Sequence, residues 1–276
     1  MNLSGIVDLH LHSAPDVRAR SLDDLTAAKA ARQHGMAGVL LKNHHAPTAA
    51  RAALAQLHAP GAPIYGGVVL NTYVGGLNPD AVHAMAALGG RAVWLPTFTA
   101  ANHLRHEGTL EASGIRLLDR EGRPEAALRR VLEAVAERDL LLCTGHISVA
   151  EVLAVVPAAR EVAIKRILIQ HVEHKVTGLT HDQQRWLADQ GVFLERCYGQ
   201  PQLQGAHAPN FDLNVEAIRA VGFESTVLAS DLGQPDNPSW PEGYATYLQQ
   251  YLDAGFPESA MDVMCRRNPA WLLGLS

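Results

Sequence analysis

Short apolar runs alternate with amphipathic stretches along the whole chain. The runs read IVDLHLH (6–12), GVLLKNH (38–44), IYGGVVLN (64–71), AVWLPTF (92–98), LLLCTGH (140–146), RILIQHV (166–172), VFLERCY (192–198) and TVLASDL (226–232), eight in all. In the first of them Asp8, His10 and His12 stand between Val7, Leu9 and Leu11. Side chains alternate faces along a strand, so this spacing predicts one aliphatic face and one face bearing a carboxylate and two imidazoles. Such a face is either the wet side of an edge strand or the wall of a site in which two imidazoles hold one metal ion.

The stretches between the runs carry helix signals. Ser21 is placed to cap a helix ended by Gly35, and Pro79 follows Asn78 in the manner of a first helical residue. After Pro124, the residues Leu128, Val131, Leu132 and Val135 fall on one stripe. Strand and helix therefore alternate throughout. Eight buried strands, each followed by a helix, in 276 residues predict a parallel (β/α)8 TIM barrel rather than an open doubly wound sheet. The absence of G-x-G-x-x-G after the first strand points the same way. No repeat, low-complexity tract or Pro/Gly/Ser linker interrupts the pattern, so residues 1–276 read as one barrel domain. Two long connections, 99–123 and 232–242, are candidate covers for a site.

Composition narrows the class of function. With 47% hydrophobic and 18% charged residues the chain can bury a large core. A formal charge of −5 with scattered Lys and Arg argues against nucleic acid or an anionic membrane as partner and leaves a small-molecule substrate as the expectation. Cys143, Cys197 and Cys265 are far apart and in no C-x-x-C pattern, which argues for a reducing compartment and against a thiolate zinc site. No basic region followed by a long apolar stretch opens the chain and no 18-residue apolar run occurs, so a cytoplasmic protein is expected. A symmetric dimer is the commonest outcome for a soluble chain, and a homo-oligomer is expected on that ground alone.

The barrel gives the polar residues a common location, because functional groups of such folds stand at the C-terminal ends of the strands. His10 and His12 stand there, with Lys42, His44 and His45 on the second run, His146 on the fifth, His171 on the sixth, Glu195 on the seventh and Asp231 on the eighth. Imidazole nitrogens with a carboxylate are the donor set favoured by zinc and similar divalent ions.

The order Asp-x-His-x-His on strand one, His on strands five and six and Asp on strand eight resembles the amidohydrolase superfamily of metal-dependent hydrolases, and the closing NPAWLLGL (268–275) is similar to the helix that ends many members. The resemblance implies His10, His12, His146 and His171 as metal ligands, with Asp231 both a ligand and the proton acceptor for an activated water. It implies one or two divalent ions, zinc first, with manganese, iron and cobalt also compatible. Members with two metals usually bridge them by a lysine carbamate or a glutamate on strand four; AVWLPTF offers neither. Either Lys42 or Glu195 replaces that bridge from another strand, or the site holds a single ion. A second relative, the PHP phosphoesterases, also begins with His-x-His and would use His44.

The implied reaction is hydrolysis of a small amide, lactone or ester by a metal-activated water. Decarboxylation of a small carboxylic acid and a non-catalytic binding barrel are the alternatives. Lys42 is then a carbamate ligand, a cation for a substrate carboxylate or a strand-end lysine reaching solvent. Lys42, Glu195, His44, His45 and His174 are candidates for bridging or substrate binding, with His174 otherwise facing solvent, and His103, His106 and Glu107 either contact substrate or form a hydrated loop. Arg18, Arg20, Tyr73 and Arg196 lie near strand ends, where they could meet a substrate anion.

Overall fold

Each of the eight apolar runs forms strand structure. In chain order these are β1 (Val7–His12), β2 (Gly38–Lys42), the pair β3 (Ile64–Tyr65) and β4 (Gly67–Val69), β5 (Ala92–Trp94), β6 (Leu141–Cys143), β7 (Ile167–Ile169) and β8 (Phe193–Cys197). A hairpin of β9 (Gly199–Pro201) and β10 (His207–Pro209), which the run pattern does not predict, precedes β11 (Thr226–Ala229). The computed structural model describes residues 1–109, 113–201 and 207–275, so residues 110–112 of the first long connection lie outside it.

The strands build two parallel sheets, β1-β2-β3 and β11-β8-β7-β6-β5-β4. On one side the sheets share a single stretch of chain, since only Gly66 separates β3 from β4. A Cβ there would sit 2.4 Å from the carbonyl of Thr48, which explains the glycine. On the other side the chain beyond β11 runs against β1: Asp231 N donates to His10 O at 2.8 Å and His12 N donates to Leu232 O at 2.9 Å. Gly233 follows with φ +113°, and a Cβ on it would lie 1.8 Å from His12 O. Only glycine lets the chain pass the end of β1 so closely.

Helices follow the strands: α1 (Asp24–Gln33), α2 (Ala49–His58), α3 (Pro79–Ala87), α4 (Ala101–His106), α5 (Ala126–Glu137), α6 (Val149–Glu161), α7 (His181–Asp189), α8 (Phe211–Val221), α9 (Glu242–Asp253), α10 (Glu258–Asp262) and α11 (Asn268–Leu273). The α5 stripe is buried as its spacing predicts, and Asn78 caps α3 ahead of Pro79. The cap of α1 is Asp23, whose carboxylate accepts from Thr26 N at 2.7 Å, and not Ser21. The helix starts two residues later than the first available capping side chain, where a carboxylate also meets the helix dipole. Among the described residues no helix is long and apolar enough to cross a membrane.

Alternation along the strands sorts the core. Val7, Leu9, Leu40, Trp94, Leu141 and Leu168 pack in one cluster between the strands, joined by Leu272 and Leu273 of α11. Val39, Leu41 and Leu228 belong to an outer cluster with α1 and α9, and Leu142, Ile167 and Leu194 to another with α5 and α6. The expectation that Asp8, His10 and His12 share one face is corrected by β1 itself. Its register against β2 shifts between Asp8 and Leu11, where three residues of β1 span two of β2. A bulge of this kind reverses the facing of everything beyond it. Val7 and Leu9 therefore point into the central cluster, Leu11 lies in the outer cluster, and His10 and His12 turn inward at the strand end. Asp8 is left on the outer side, where it accepts from Ser230 N at 3.0 Å, His10 N at 3.1 Å and Trp240 Nε1 at 2.9 Å.

Asp8 thus clamps the bulge, the end of β11 and the 232–242 connection together. Burial raises its pKa while these donors pull it back down, so the carboxylate depends on them. Asp8→Asn places an N–H among N–H donors and should destabilise the fold by about 2–3 kcal/mol in a urea titration. A change under about 0.5 kcal/mol would mean that the bulge holds without the clamp.

Candidate metal centre

Two imidazoles and one carboxylate oxygen meet where the bulge turns His10 and His12 inward. His10 Nε2 and His12 Nε2 each lie 3.1 Å from the same atom, Asp231 Oδ1. All three side chains are buried, and they form a group compact enough to share one ion. The wet edge-strand alternative is thereby excluded, since His10 is 0% exposed.

The proton positions follow from the neighbours. On the far side of its ring, His10 Nδ1 faces Glu195 Oε1 at 3.2 Å, an oxygen that also accepts from Gln170 Nε2 at 3.2 Å. Glu195 can only accept, so His10 Nδ1 carries a proton, and His10 Nε2 lies 3.1 Å from both Lys42 Nζ and Asp231 Oδ1. With Nδ1 turned to Glu195, the other ring nitrogen of His10 is left facing Asp231. Cys197 Sγ lies 3.8 Å from His10 Nδ1 beside Glu195. Glu195 therefore sits behind His10, and Lys42 in front of it.

A second layer of rings continues outward. His171 contacts His10 at 5.1 Å between centroids and approaches Asp231 Oδ2 with its Nε2 at 4.0 Å. His146 lies 5.4 Å from His171 and 6.0 Å from His44, but its Nδ1 faces His103 Nδ1 at 3.0 Å. His146 joins no compact three-donor group among the described residues. His44 is stacked on His12 at 4.9 Å and held through Nδ1 by Thr97 Oγ1 at 2.8 Å. His45 faces Asp16 at 3.2 Å, half-buried beside Tyr73. His174 is half-buried with its ring 5.5 Å from His171, beside the site and not turned wholly to solvent. Backbone strain marks the same place. His171 and Asp231 adopt φ of +51° and +50°, a region costly for residues other than glycine and found where the surrounding structure imposes it.

Two expectations change. His103 is no hydrated bystander: α4 in the 99–123 connection carries it onto His146. Arg196 is fully buried on the outer face of β8, against Glu173 at 3.2 Å, Gln184 at 2.7 Å and Thr226 at 2.9 Å, because residues either side of Glu195 must point away from it. Sequence reasoning missed Asn71, Thr97 and Phe98. Asn71 Oδ1 accepts from Thr97 N and its Nδ2 donates to Thr97 Oγ1, each at 2.8 Å, and this pair positions His44. Their position at the ends of the third and fourth runs was the available signal.

A model of a family of unknown function, DUF6282, matches residues 5–195. No curated protein sequence matches the chain. Among solved structures, a Pseudomonas putida protein assigned as a 2-pyrone-4,6-dicarboxylic acid hydrolase has a TM-score of 0.61 at 18% identity, over 100% of this chain and 99% of that one. A 2,6-dihydroxybenzoate decarboxylase from Rhizobium gives 0.58 at 12%, over 99% of each chain. The phosphotriesterase homology protein of Escherichia coli, solved with phosphate in its active site, gives 0.58 at 12%, over 99% and 100%. The likeness over nearly the whole of each chain shows that this chain shares their α/β fold of parallel strands.

Burial sets the ionisation of the site. It pushes His12, His44 and His146 well below 6.5 and His171 down to about 3, leaving them as neutral imidazoles. Burial would raise Glu195, but its interactions with His10, a hydrogen bond among them, together with those of His171 and Lys42, outweigh it and bring Glu195 to about 2. Lys42 is lowered from 10.5 by burial, against the pull of Asp231 and Glu195. The unfolded chain would protonate these histidines near 6.5, so below that pH it binds more protons than the fold. Stability should then fall as pH drops, by about 1.4 kcal/mol per pH unit for each histidine that stays neutral. Glu195 acts in the same direction only below its unfolded value of 4.5. Metal-free protein should therefore melt at a clearly lower temperature at pH 5.5 than at pH 7.5, and His44→Gln should flatten the dependence. A flat profile in the unmodified chain would show that the imidazoles take up protons without cost.

Proposed function

The chain belongs to the DUF6282 family, whose function is unknown, and from the site itself we propose that it is a metal-dependent hydrolase of a small amide, lactone or ester. The reading takes residues 1–276 as a single (β/α)8 barrel, supported by the Gly66 junction on one side and the hydrogen bonds between β1 and the chain after β11 on the other. The observation that carries it is the sharing of Asp231 Oδ1 by His10 Nε2 and His12 Nε2. His10 Nε2, His12 Nε2 and a carboxylate oxygen converge in buried surroundings, an arrangement that a cation between them would stabilise.

The donor chemistry fits a divalent ion, zinc first and manganese, iron or cobalt next. His10, His12 and Asp231 would hold it, with His171 at the margin; one ion is the number this geometry supports best. When bound, such an ion supplies Lewis acidity, polarising the scissile carbonyl and acidifying a water. Glu195 keeps His10 in the tautomer that offers Nε2, the role of a carboxylate behind a ligating histidine. Asp231 Oδ2 takes the proton of the attacking water and returns it to the leaving oxygen or nitrogen. The rings of His44, His146 and His171 wall the reaction from solvent.

Decarboxylation is the second reading, favoured by the buried Lys42 ammonium beside His10 Nε2, where a substrate carboxylate would find a cation. Two solved dihydroxybenzoate decarboxylase structures of similar fold are in keeping with this second reading.

Protein purified without chelator should carry about one divalent ion per chain by elemental analysis, and removing it should lower the melting temperature. On the same preparations Asp231→Asn should keep much of the metal and lose about a hundredfold to ten-thousandfold in turnover of a lactone, ester or amide. His10→Ala should lose metal and activity together. Absence of any transition metal, with no uptake on titration, would sink the metal reading; near-normal hydrolysis by metal-loaded Asp231→Asn would remove the base from Asp231; carbon dioxide release without hydrolysis would favour the decarboxylase.

A further inference from the structure

A column of stacked planar groups leads from solvent to the candidate metal ligands. The Arg18 guanidinium lies over the face of Phe98 with its carbon 4.2 Å from the ring centre. The Phe98 ring is stacked on His44 at 3.7 Å and 22°, and His44 is stacked on His12 at 4.9 Å and 24°. Around Phe98 stand His103 at 5.1 Å, His146 at 5.9 Å and His45 at 6.4 Å. Arg18 itself is exposed, in the connection between β1 and α1. Both faces of Phe98 are thus taken, one by a cation and one by an imidazole, and the ring serves as a mount for Arg18.

The charges nearby are unequal. Arg20 is committed to Asp16, with its Nη2 2.6 Å and its Nε 2.7 Å from Asp16 Oδ2, and the other oxygen of Asp16 meets His45 Nδ1 at 3.2 Å. Among the described residues Arg18 has no carboxylate partner. A guanidinium fixed in plane by an aromatic face keeps its N–H edge available as a fork, the geometry that a carboxylate matches with two parallel hydrogen bonds.

We propose that Arg18, mounted on Phe98, binds a carboxylate of the substrate at the mouth of the site. The substrate class is then a small carboxylic acid whose reacting bond lies deeper, toward Asp231, with its acid group held away from the chemistry. The assignment of that deeper bond rests on the hydrolase reading; the carboxylate anchor does not. One uncompensated cation suits a monoanion, whereas a phosphate dianion would call for a second. Fixing the remote end orients the reacting end, the usual use of binding groups far from a reacting bond.

The anchor can be tested by binding alone, with benzoate and its neutral counterpart benzamide as probes. Calorimetric titration at low salt, on metal-loaded and chelator-treated protein, should show benzoate bound by the unmodified chain and benzamide bound much more weakly. Arg18→Gln should weaken benzoate by about tenfold to a hundredfold and leave benzamide unchanged. Arg18→Lys should recover only part of the loss, because the fork and the stack are gone. Metal content should be the same in all three proteins. Equal benzoate affinity with and without Arg18, equal affinity for the two probes, or no benzoate binding at all would overturn the proposal. A chain that takes up no metal yet binds benzoate through Arg18 would retain the anchor and lose the hydrolase reading; a chain with metal and hydrolysis but Arg18-independent binding would do the reverse.

Discussion

One extra residue in β1 governs the rest of the site. If β1 kept a regular register from Val7 to His12, Asp8 and both histidines would share a face, and a carboxylate would lie in the central apolar cluster among Leu40, Trp94 and Leu168. The bulge between Asp8 and Leu11 separates the two demands on this strand. Its first half packs aliphatic side chains inward at the floor, and its last half turns imidazoles inward at the rim. The acid displaced by the bulge is reused on the outside, where three N–H donors fix it. The strain at Asp231 belongs to the same construction, since that residue must turn back toward β1 while its amide bonds to His10 O.

Burial sets the ionisation of the candidate donors. A histidine can hold a metal only through a neutral ring, and dry surroundings keep His12, His44, His146 and His171 neutral without a dedicated partner for each. The exception is instructive: His10 has Glu195 behind it and Lys42 before it, so its tautomer is set by contacts. The same low polarity makes Glu195 costly to bury alone, and the cations and imidazoles around it outweigh that cost.

The outer layer is assembled by connections rather than strands. His103 reaches His146 from α4, Phe98 stacks on His44 just beyond β5, and Arg18 covers Phe98 from the loop after β1. This layer meets the groups beneath it through stacked rings, Phe98 on His44 and His44 on His12. The buried carboxylates and imidazoles thus stand at the strand ends, and the groups that cover them come from the connections.

The sequence by itself determined the parallel α/β architecture, the place of every principal strand and the residues at the strand ends, because hydrophobic period and helix signals are local properties of the chain. His10, His12, Lys42, Glu195 and Asp231 were all legible as strand-end groups, and the structure gathers them around His10 and Asp231. Which way each one faces was not legible. A bulge adds a residue without leaving a mark in the alternation of Val7–His12, so the facing of Asp8 emerged only from pairing with β2. Neighbours far apart in the chain decided the remainder: His103 lies 43 residues from His146, and Arg196 turned out to be walled in by Glu173, Gln184 and Thr226. Local periodicity records how a segment can fold, but a side chain's partner is set by loop paths and strand register, which exist only once the sheets have paired.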